Sequence, residues 1–426
     1  MKKGRIITVL GASSCYVAGL IDALITNKMH LEILELRLYD EQDQKEALNK
    51  IYQYAMHVIK KQNIDFKVTM HHLLEHALDQ TDYIISYIGS TVTKSDLKDE
   101  KLLYKHKVLS SDLYGFKSMF KAIKIIPKLF EIIDYMNIYC EHAWFINLVQ
   151  PMGLISEAII RYAETDKYIG ISHVEEDVNA CFAQVLNVKE KQLIPFAIGI
   201  SPMTFVTSIF KNQKDQMSKM CSDFDHSQAC YWPQEFISEA SVFPSTDLKY
   251  IYYADDETNK FIKQYEKNQS MLNIKKQQEE KWYKQIKNLD EKINFNNNDV
   301  QKKTVKLLKS LILDQRDYQI INTINNGKVE DFEDGCAIEV SARMTKDGPI
   351  PIRVSRLPLE IKGVLQHLKS FEQLFVDAIY LKDLNKMSLA MKMHPMGMNI
   401  RTIDHIFNEY KLLNEKQLKK YQKELV

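Results

Sequence analysis

Short apolar runs alternate with longer amphipathic segments along the first 175 residues of the chain. The apolar runs are rich in isoleucine, valine, leucine and aromatic residues, and they are RIITVL, ILELRLYD, DFKVTM, DYIISYI, WFINLVQ and YIGIS. The segments between them, such as EQDQKEALNKIYQYAMHVIKK, have helical spacing. Strands that alternate with helices predict βαβ units, and strands that are apolar on both faces predict a parallel sheet covered on both sides. We therefore predict an α/β, doubly wound domain.

The pattern changes after about residue 190. FAIGISPMTFVTSIF predicts a strand or a hairpin, and CAIEVSARMTKDGPIPIRV predicts two strands joined at KDGP, because Asp-Gly-Pro cannot continue a strand. The span from Asp247 to Lys303 is charged and mostly helical, and a long helical tail begins at Leu359. We divide the chain into an α/β domain, residues 1–175, and an α+β domain, residues 176–426, which packs tightly against it.

Composition and charge exclude several classes of partner. With 45% hydrophobic and 27% charged residues the chain is an ordinary globular protein. Because 57 lysines and arginines nearly balance 56 acidic residues, we expect neither nucleic acid nor an anionic membrane as a partner. Gly11 to Ser14 interrupt the first apolar run too early for a signal peptide, and no run is as long as a membrane span. We expect a cytoplasmic protein whose six scattered cysteines are free thiols.

Four small residues, Gly11, Ala12, Ser13 and Ser14, separate the first predicted strand from a helix. A phosphate binds at such a place because free backbone N–H groups meet the positive end of the helix dipole there. The next strand ends at Asp40, whose carboxylate can accept hydrogen bonds from a ribose diol. These residues indicate a Rossmann-like site for NAD. Only the first glycine of a full GxGxxG motif is present, so a purely structural turn is the alternative.

Three longer stretches carry a resemblance to a known family. They are LGASS followed by LYDEQ, then FINLVQPMGLISEAIIRY followed by IGIS, and then INTINNG followed by AIEVSARMTKDGPIPIRVSRLPLEIKGVLQHLKSFEQL. In their order and their residues, these stretches resemble the family 4 glycoside hydrolases, which are the NAD- and divalent-metal-dependent 6-phospho-α/β-glucosidases and α-galactosidases. The resemblance implies a carboxy-terminal domain of the lactate-malate dehydrogenase-like type, NAD as cofactor, a phosphosugar or glycoside as ligand, and a homodimer or homotetramer. It assigns substrate contacts to Asn147, Gln150, Asn322 and Asn325.

The family's chemistry depends on a metal site that this sequence lacks. In the family, NAD oxidises C3 of the sugar, a tyrosine removes the acidified C2 proton, and the glycosidic bond breaks by elimination. A divalent metal such as Mn²⁺, held by a cysteine and a histidine, polarises the C3 oxygen. The resemblance places that cysteine on Ser172, the residue after it on His173, and the metal-binding histidine on Pro202. A serine hydroxyl is a far poorer ligand than a thiolate, and proline offers none, so we expect no bound metal.

Other functional positions of the family also differ. The arginine after the fourth strand falls at about Gly89, the tyrosine base falls near Asp299 or Val300, and the arginine of the family's NTRNNG is Ile324. Losing one polarising group or base typically costs about two to four orders of magnitude in rate. We therefore hypothesise a 6-phospho-glucosidase homologue that keeps an NAD and phosphosugar pocket and acts by binding, with redox-elimination lost.

The alternative hypothesis is an active glycosidase or NAD-dependent oxidoreductase of altered chemistry. His173 lies at a strand's carboxyl end, where α/β sheets bind ligands, and it can act as a general acid or base beside Glu175 and Glu176. Asp299 can replace the tyrosine base. The structural alternatives are a hydrogen-bonded histidine at the rim of a disused pocket and an exposed NNND turn.

Overall fold

The structure is a computed structural model, and it describes residues 4–163, 165–224, 231–240, 242–289, 293, 295 and 299–421. Thirteen strands in this part of the chain form one sheet. They are β1 (Arg5–Leu10), β2 (Ile33–Tyr39), β3 (Lys67–His71), β4 (Tyr83–Ser86), β5 (Trp144–Asn147), β6 (Tyr168–Ile171), β7 (Ile194–Ile200), β8 (Met203–Lys211), β9 (Lys214–Asp215), β10 (Phe243–Pro244), β11 (Tyr318–Ile324), β12 (Ala337–Thr345) and β13 (Gly348–Pro351).

The α-helices of the same residues cover this sheet. They are α1 (Tyr16–Thr26), α2 (Lys28–Leu31), α3 (Lys45–Gln62), α4 (Leu74–Leu78), α5 (Lys94–Lys105), α6 (Gly115–Tyr139), α7 (Met152–Tyr162), α8 (Val174–Val185), α9 (Met217–Asp223), α10 (Gln234–Ala240), α11 (Lys249–Tyr252), α12 (Ala254–Glu266), α13 (Met271–Lys287), α14 (Asp299–Leu313), α15 (Leu359–Tyr380), α16 (Leu384–Lys392), α17 (Ile400–Leu413) and α18 (Glu415–Leu418).

The first six strands confirm the predicted doubly wound domain. They are parallel and lie in the order β3-β2-β1-β4-β5-β6. Successive residues of a strand point to opposite faces. Ile84 and Phe145 therefore join the core cluster that includes α6 and α7, whereas Ile85 and Ile146 join the cluster that includes α1 and α3. The central strands β4, β5 and β6 are mostly apolar because both of their faces are buried, whereas β2 and β3 carry charged residues nearer the sheet edge.

The second part of the chain extends the same sheet with antiparallel strands. β11 pairs with β6, and the order continues through β12, β7, β8 and β10. β7 and β8 form a hairpin through Ser201 and Pro202, and β12 and β13 form the second predicted hairpin, in which Gly348 has φ +118°. The α+β class of this part is confirmed. The boundary at residue 175 stays a prediction.

Helices α13 and α14 return from the second part of the chain to the first. Trp282 and Ile286 of α13, and Leu307 and Leu308 of α14, belong to the core cluster that includes α1 and α3. Their burial holds both helices against the amino-terminal domain. As a result, α13 lies over the turn between β1 and α1, where the sequence predicted the nucleotide site.

The expectation of free thiols was wrong for Cys181, which is disulfide-bonded. Cys15, Cys140, Cys221 and Cys336 are free, as expected. Disulfide formation requires two cysteines to meet in space, and spacing along the chain does not reveal such a meeting. Across the described ranges, no helix is long and apolar enough to cross a membrane.

Candidate functional site

The turn between β1 and α1 requires its glycine. Gly11 has φ +70°, and a Cβ atom there would lie 2.9 Å from main-chain atoms of both Tyr87 and Ile88. The loop after β4 therefore packs directly against this turn. Ala12 N–H donates to the carbonyl of Tyr39 at 2.9 Å, and Ser14 N–H donates to the carbonyl of Gly11 at 3.1 Å. Two of the turn's amides are thus already bonded within the chain.

Asp40 follows β2 and points toward the turn. Its Oδ2 accepts a hydrogen bond from Ser13 N–H at 3.0 Å, and its Oδ1 accepts one from Glu41 N–H at 2.9 Å. The side chain is buried. The structure therefore brings the four small residues and Asp40 together, as the sequence predicted. The carboxylate, however, is bonded to an amide of the turn itself.

Helix α13 covers the turn. Tyr283 Oη donates to the carbonyl of Ser13 at 2.8 Å, and the ring of Trp282 meets that of Tyr16 edge to face with centroids 5.3 Å apart. Ser13 and Ser14 consequently expose only 8% and 2% of their surfaces. A pyrophosphate needs free amides at the start of the helix. While α13 lies in this position, the residues of the turn do not fit a pyrophosphate.

The predicted metal corner holds a lysine. Ser172 Oγ accepts a hydrogen bond from Val174 N–H at 3.1 Å, and the main-chain carbonyl of Ser172 accepts one from Lys303 Nζ. Lys303 also pairs with Glu176. Burial lowers the pKa of Lys303 to about 7, against the opposing charge of Glu175. A buried ammonium at this point repels a second cation.

No group of three histidine, cysteine or acidic side chains suited to a metal ion occurs in the described part of the chain. Pro202 follows a cis peptide bond after Ser201, and both line a small cavity with Glu372 and His394. A hydroxyl that is bonded to a helix amide and a proline ring do not supply the ligands of a divalent metal. The residues at this corner therefore do not fit the family's metal ion.

The two predicted acid–base residues occupy the starts of helices. His173 immediately precedes α8 and is half-buried. Asp299 is the first residue of α14, and its side chain lies outside the described part of the structure. The next two residues, Val300 and Gln301, line a cavity near the sheet edge. Asp299 thus directly precedes two residues of the cavity lining, whereas His173 is not part of that lining.

Two predicted substrate residues lie at the end of β5. Asn147 is buried. Its Nδ2 donates to the carbonyl of Val149 at 3.0 Å, and its Oδ1 accepts a hydrogen bond from Val149 N–H at 3.3 Å. Gln150 lines the cavity, and its Oε1 accepts a hydrogen bond from Met152 N–H at 2.7 Å. Gln150 is therefore placed to contact a ligand, whereas Asn147 shapes the loop that carries it.

The other two predicted substrate residues belong to the second part of the chain. Asn322 Nδ2 donates to Glu339 Oε1 at 3.0 Å, and both side chains are buried. The side-chain amide of Asn325 bonds the carbonyls of Val329, Phe332 and Glu333 at 3.0–3.1 Å, which fixes the loop after β11. Neither asparagine lines the cavity at Gln150.

A cavity of about 560 Å³ lies between α5, α6, α13 and the first turn of α14. Tyr87, Leu148 and Val149 form its floor at the ends of β4 and β5. Its polar lining comprises Ser90, Glu100, Ser110, Ser111, Asp112, Lys117, Lys121, Gln150, Lys275, Gln278 and Gln301. The cavity therefore occupies the carboxyl edge of the parallel strands, where α/β sheets bind ligands.

Three lysines give this cavity its charge. Lys121 pairs with Asp112 at 2.7 Å, and Lys117 pairs with Asp96 at 3.2 Å. Burial, and then the charge of Lys121, lowers the pKa of Lys275. Burial opposes the ionisation of Asp112, but Lys121 and Lys275 together hold the pKa of Asp112 below its ordinary value. Three lysines and two acidic residues, Asp112 and Glu100, therefore line the cavity.

These lysines were not predicted from the sequence. Lys117, Lys121, Lys124 and Lys128 recur every three or four residues along an otherwise apolar helix. Lysine is rarely buried unless it is paired. This spacing, after the acidic segment SDLKDE, was therefore the available signal for a buried charged site on one face of α6.

Comparison with known proteins bears on this fold and site. Residues 6–188 match the description Family 4 glycosyl hydrolase, and residues 197–397 match Family 4 glycosyl hydrolase C-terminal domain. This chain belongs to family 4 of the glycosyl hydrolases. The predicted family is thereby confirmed. Relatives include a probable 6-phospho-beta-glucosidase of Bacillus subtilis, 25% identical over 93% of each chain, and a 6-phospho-beta-glucosidase of Escherichia coli, 20% identical over 98% of this chain and 96% of the relative.

Solved structures share the fold of this family 4 protein. A 6-phospho-alpha-glucosidase from gut microorganisms, in complex with NAD and Mn²⁺, gives a TM-score of 0.87 at 16% identity, over 97% of this chain and 99% of that one. The 6-phospho-beta glucosidase of Thermotoga maritima, with NAD and glucose-6-phosphate, gives 0.85 at 18% over the same shares. Malate dehydrogenase of Plasmodium falciparum gives 0.51 at 11% identity, over 90% of this chain and 99% of that one.

Proposed function

We propose that this family 4 protein is 6-phospho-glucosidase-like in its ligand, a phosphosugar, and that it acts by binding after losing metal-dependent redox-elimination. The observation that carries the proposal is the lysine-lined cavity at the carboxyl edge of the parallel strands. Its volume of about 560 Å³ lies within the range of roughly 300–1,000 Å³ that is typical of small-molecule sites. The ammonium groups of Lys121 and Lys275 suit a phosphate, and the amide of Gln150 suits a sugar hydroxyl.

The loss of redox-elimination rests on the metal corner. The correspondences with the family put serine and proline where its metal ligands lie, and Lys303 bonds the carbonyl of Ser172. Without a Lewis acid the C2 proton of a bound sugar stays weakly acidic. The tyrosine base also has no counterpart near Asp299 and Val300 in the sequence. Each loss alone lowers the rate by orders of magnitude.

NAD, cytoplasmic location and assembly into a homodimer or homotetramer belong to the same proposal. Two structural neighbours named as 6-phospho-glucosidases contain NAD, which supports NAD as the nucleotide. The turn at Gly11 joins a strand to a helix, which is where a Rossmann-like fold binds a pyrophosphate. Its amides are covered by α13, so no reaction step is assigned to NAD here.

Calorimetric titration with glucose 6-phosphate tests the binding function. We expect saturable binding that weakens about tenfold in Lys121→Met, because a charge-assisted hydrogen bond is lost. The control is Lys128→Met, on the same helix and outside the cavity, where Lys128 pairs with Glu41 at 2.9 Å. Absence of binding, or equal affinity in both variants, would remove the phosphosugar site from the proposal.

An assay for hydrolysis tests the loss of catalysis. Purified protein is supplied with NAD⁺, Mn²⁺ and a 6-phosphoglucoside, and both product release and deuterium exchange at C2 are followed. We expect neither. Turnover would establish the alternative, an active glycosidase or oxidoreductase, which is favoured by the position of His173 at the carboxyl end of β6. Loss of that turnover in His173→Ala would then assign the chemistry to His173.

A further inference from the structure

The cover over the nucleotide turn comes from a distant part of the chain. Tyr283 and Ser13 are separated by 270 residues, yet the tyrosine hydroxyl donates to the serine carbonyl at 2.8 Å. Burial raises the pKa of Tyr283, so the hydroxyl stays protonated and remains a donor. The hydrogen bond joins helix α13 to the one loop on which a Rossmann-like nucleotide site depends.

Two further contacts fix α13 on either side of this bond. Trp282 is buried and meets Tyr16, the first residue of α1, with ring centroids 5.3 Å apart. Glu279 Oε2 accepts a hydrogen bond from Val92 N–H, in the segment after β4, at 3.0 Å. Successive turns of α13 therefore touch the loops after β1 and after β4. These are the loops between which a dinucleotide lies in a doubly wound fold.

The amides of the turn are bonded within the chain under this cover. Ala12, Ser13 and Ser14 donate to the carbonyl of Tyr39, the carboxylate of Asp40 and the carbonyl of Gly11, respectively. A pyrophosphate would need both the space of Tyr283 and some of these donors. We propose that α13 is an internal lid that competes with a dinucleotide for the turn, so that NAD binds only when the anchor at Tyr283 is released.

The inference rests on NAD being the nucleotide of the proposed function, and it adds a condition for binding. If only a fraction of molecules has α13 released, the apparent dissociation constant for NAD is raised by the inverse of that fraction. Weakening an anchor of the lid therefore increases affinity, which is the reverse of the effect expected for a residue that contacts NAD. Lys275 and Gln278 of the same helix line the sugar cavity, so release also alters that cavity.

Titration of the full chain with NAD⁺ tests the lid. Tyr283→Phe removes only the hydroxyl, and we expect about fivefold tighter binding than in the wild type. Tyr283→Ala also removes the ring and should bind still more tightly. The control is Lys284→Ala, an exposed neighbour on α13, which should leave the affinity unchanged. Hydrogen exchange should become faster in α13 when NAD⁺ is added to the wild type.

Three other outcomes would contradict the proposal that α13 is a lid. Equal affinity in the wild type and in Tyr283→Phe would mean that α13 does not oppose NAD. Weaker binding in Tyr283→Phe would make Tyr283 part of the site. Absence of binding in every variant would mean that no nucleotide site lies beneath α13. Glucose 6-phosphate is titrated into the same samples, so that sugar binding without any effect of NAD⁺ separates failure of the lid from failure of the phosphosugar proposal.

Discussion

Lys303 of α14 donates a hydrogen bond to the main-chain carbonyl of Ser172, the residue that follows β6, the last parallel strand. The same ammonium pairs with Glu176 in the first turn of α8. A single buried cation therefore joins two helices at the corner where the family correspondences place a metal ligand. These contacts are made by a side chain of the protein itself, so they do not depend on the supply of a metal.

Lys303→Met should lower the free energy of unfolding by about 1–3 kcal/mol, because the carbonyl of Ser172 loses its hydrogen-bond donor. Methionine keeps a side chain of similar length, so little packing is lost. Urea unfolding measures the change. Lys302→Met is the matched control, since Lys302 is exposed on the same helix, and it should stay within about 0.5 kcal/mol of the wild type. Equal stability of both variants would show that the contact with Ser172 is unimportant.

Gly11→Ala should cost about 1–3 kcal/mol, because alanine disfavours φ +70° and its Cβ would lie 2.9 Å from the main chain of Tyr87 and Ile88. Gly363→Ala provides the opposite control. Gly363 lies within α15 and has nothing within 4 Å of an added Cβ. That substitution should stabilise the protein by about 0.5–1 kcal/mol. A neutral Gly11→Ala would mean that the turn can relax away from the loop after β4.

The sequence predicted most of the scaffold because its signals are local. RIITVL became β1 with identical ends, and KDGP lies at the connection between β12 and β13. Local apolar pattern and turn chemistry are sufficient for such elements. The position of Gly11 at a strand–turn–helix junction was predictable in the same way, because only its neighbours along the chain define it.

The candidate site was less predictable because its contacts are long-range. Nothing near Tyr283 in the sequence indicates that its hydroxyl will meet Ser13. The same holds for Asn325. It matched a family position, but its side-chain amide donates to the carbonyls of the following loop. Lys275 reaches the cavity only because α13 packs against the first domain. Which polar groups meet at a site is decided by tertiary packing, which periodicity does not encode.

Lys369 should be among the most sensitive positions in the second part of the chain. Its ammonium lies 2.7 Å from both Glu157 Oε2 and Glu372 Oε2, and all three side chains are buried. Lys369→Met would leave two buried carboxylates without their cation, at a cost of about 3–5 kcal/mol in urea unfolding. Lys362→Met, which removes the more exposed pair with Asp331, should cost about 1 kcal/mol or less. Comparable losses in the two variants would contradict this ranking.

His394 should make the protein less stable in mild acid. Its Nδ1 accepts a hydrogen bond from Met396 N–H at 3.0 Å, and its ring packs between Tyr114 and Phe371. Burial, and then the charge of His367, lowers the pKa of His394 to about 3 from 6.5. Between these values the unfolded chain binds a proton that the folded protein does not. Stability therefore falls as the pH falls below about 6.5, by up to about 1.4 kcal/mol per pH unit.

Urea unfolding at about pH 7.5 and about pH 5 measures the change in stability, to which His394 should contribute a loss of about 2 kcal/mol. Glu372 and Asp247 act in the opposite direction, because burial raises the pKa of each carboxyl to about 7. The useful quantity is therefore the difference between wild type and His394→Asn, in which the amide oxygen can still accept from Met396. The variant should lose less stability between the two pH values. The same pH dependence in both proteins would mean that His394 remains neutral in the unfolded chain or is protonated when folded.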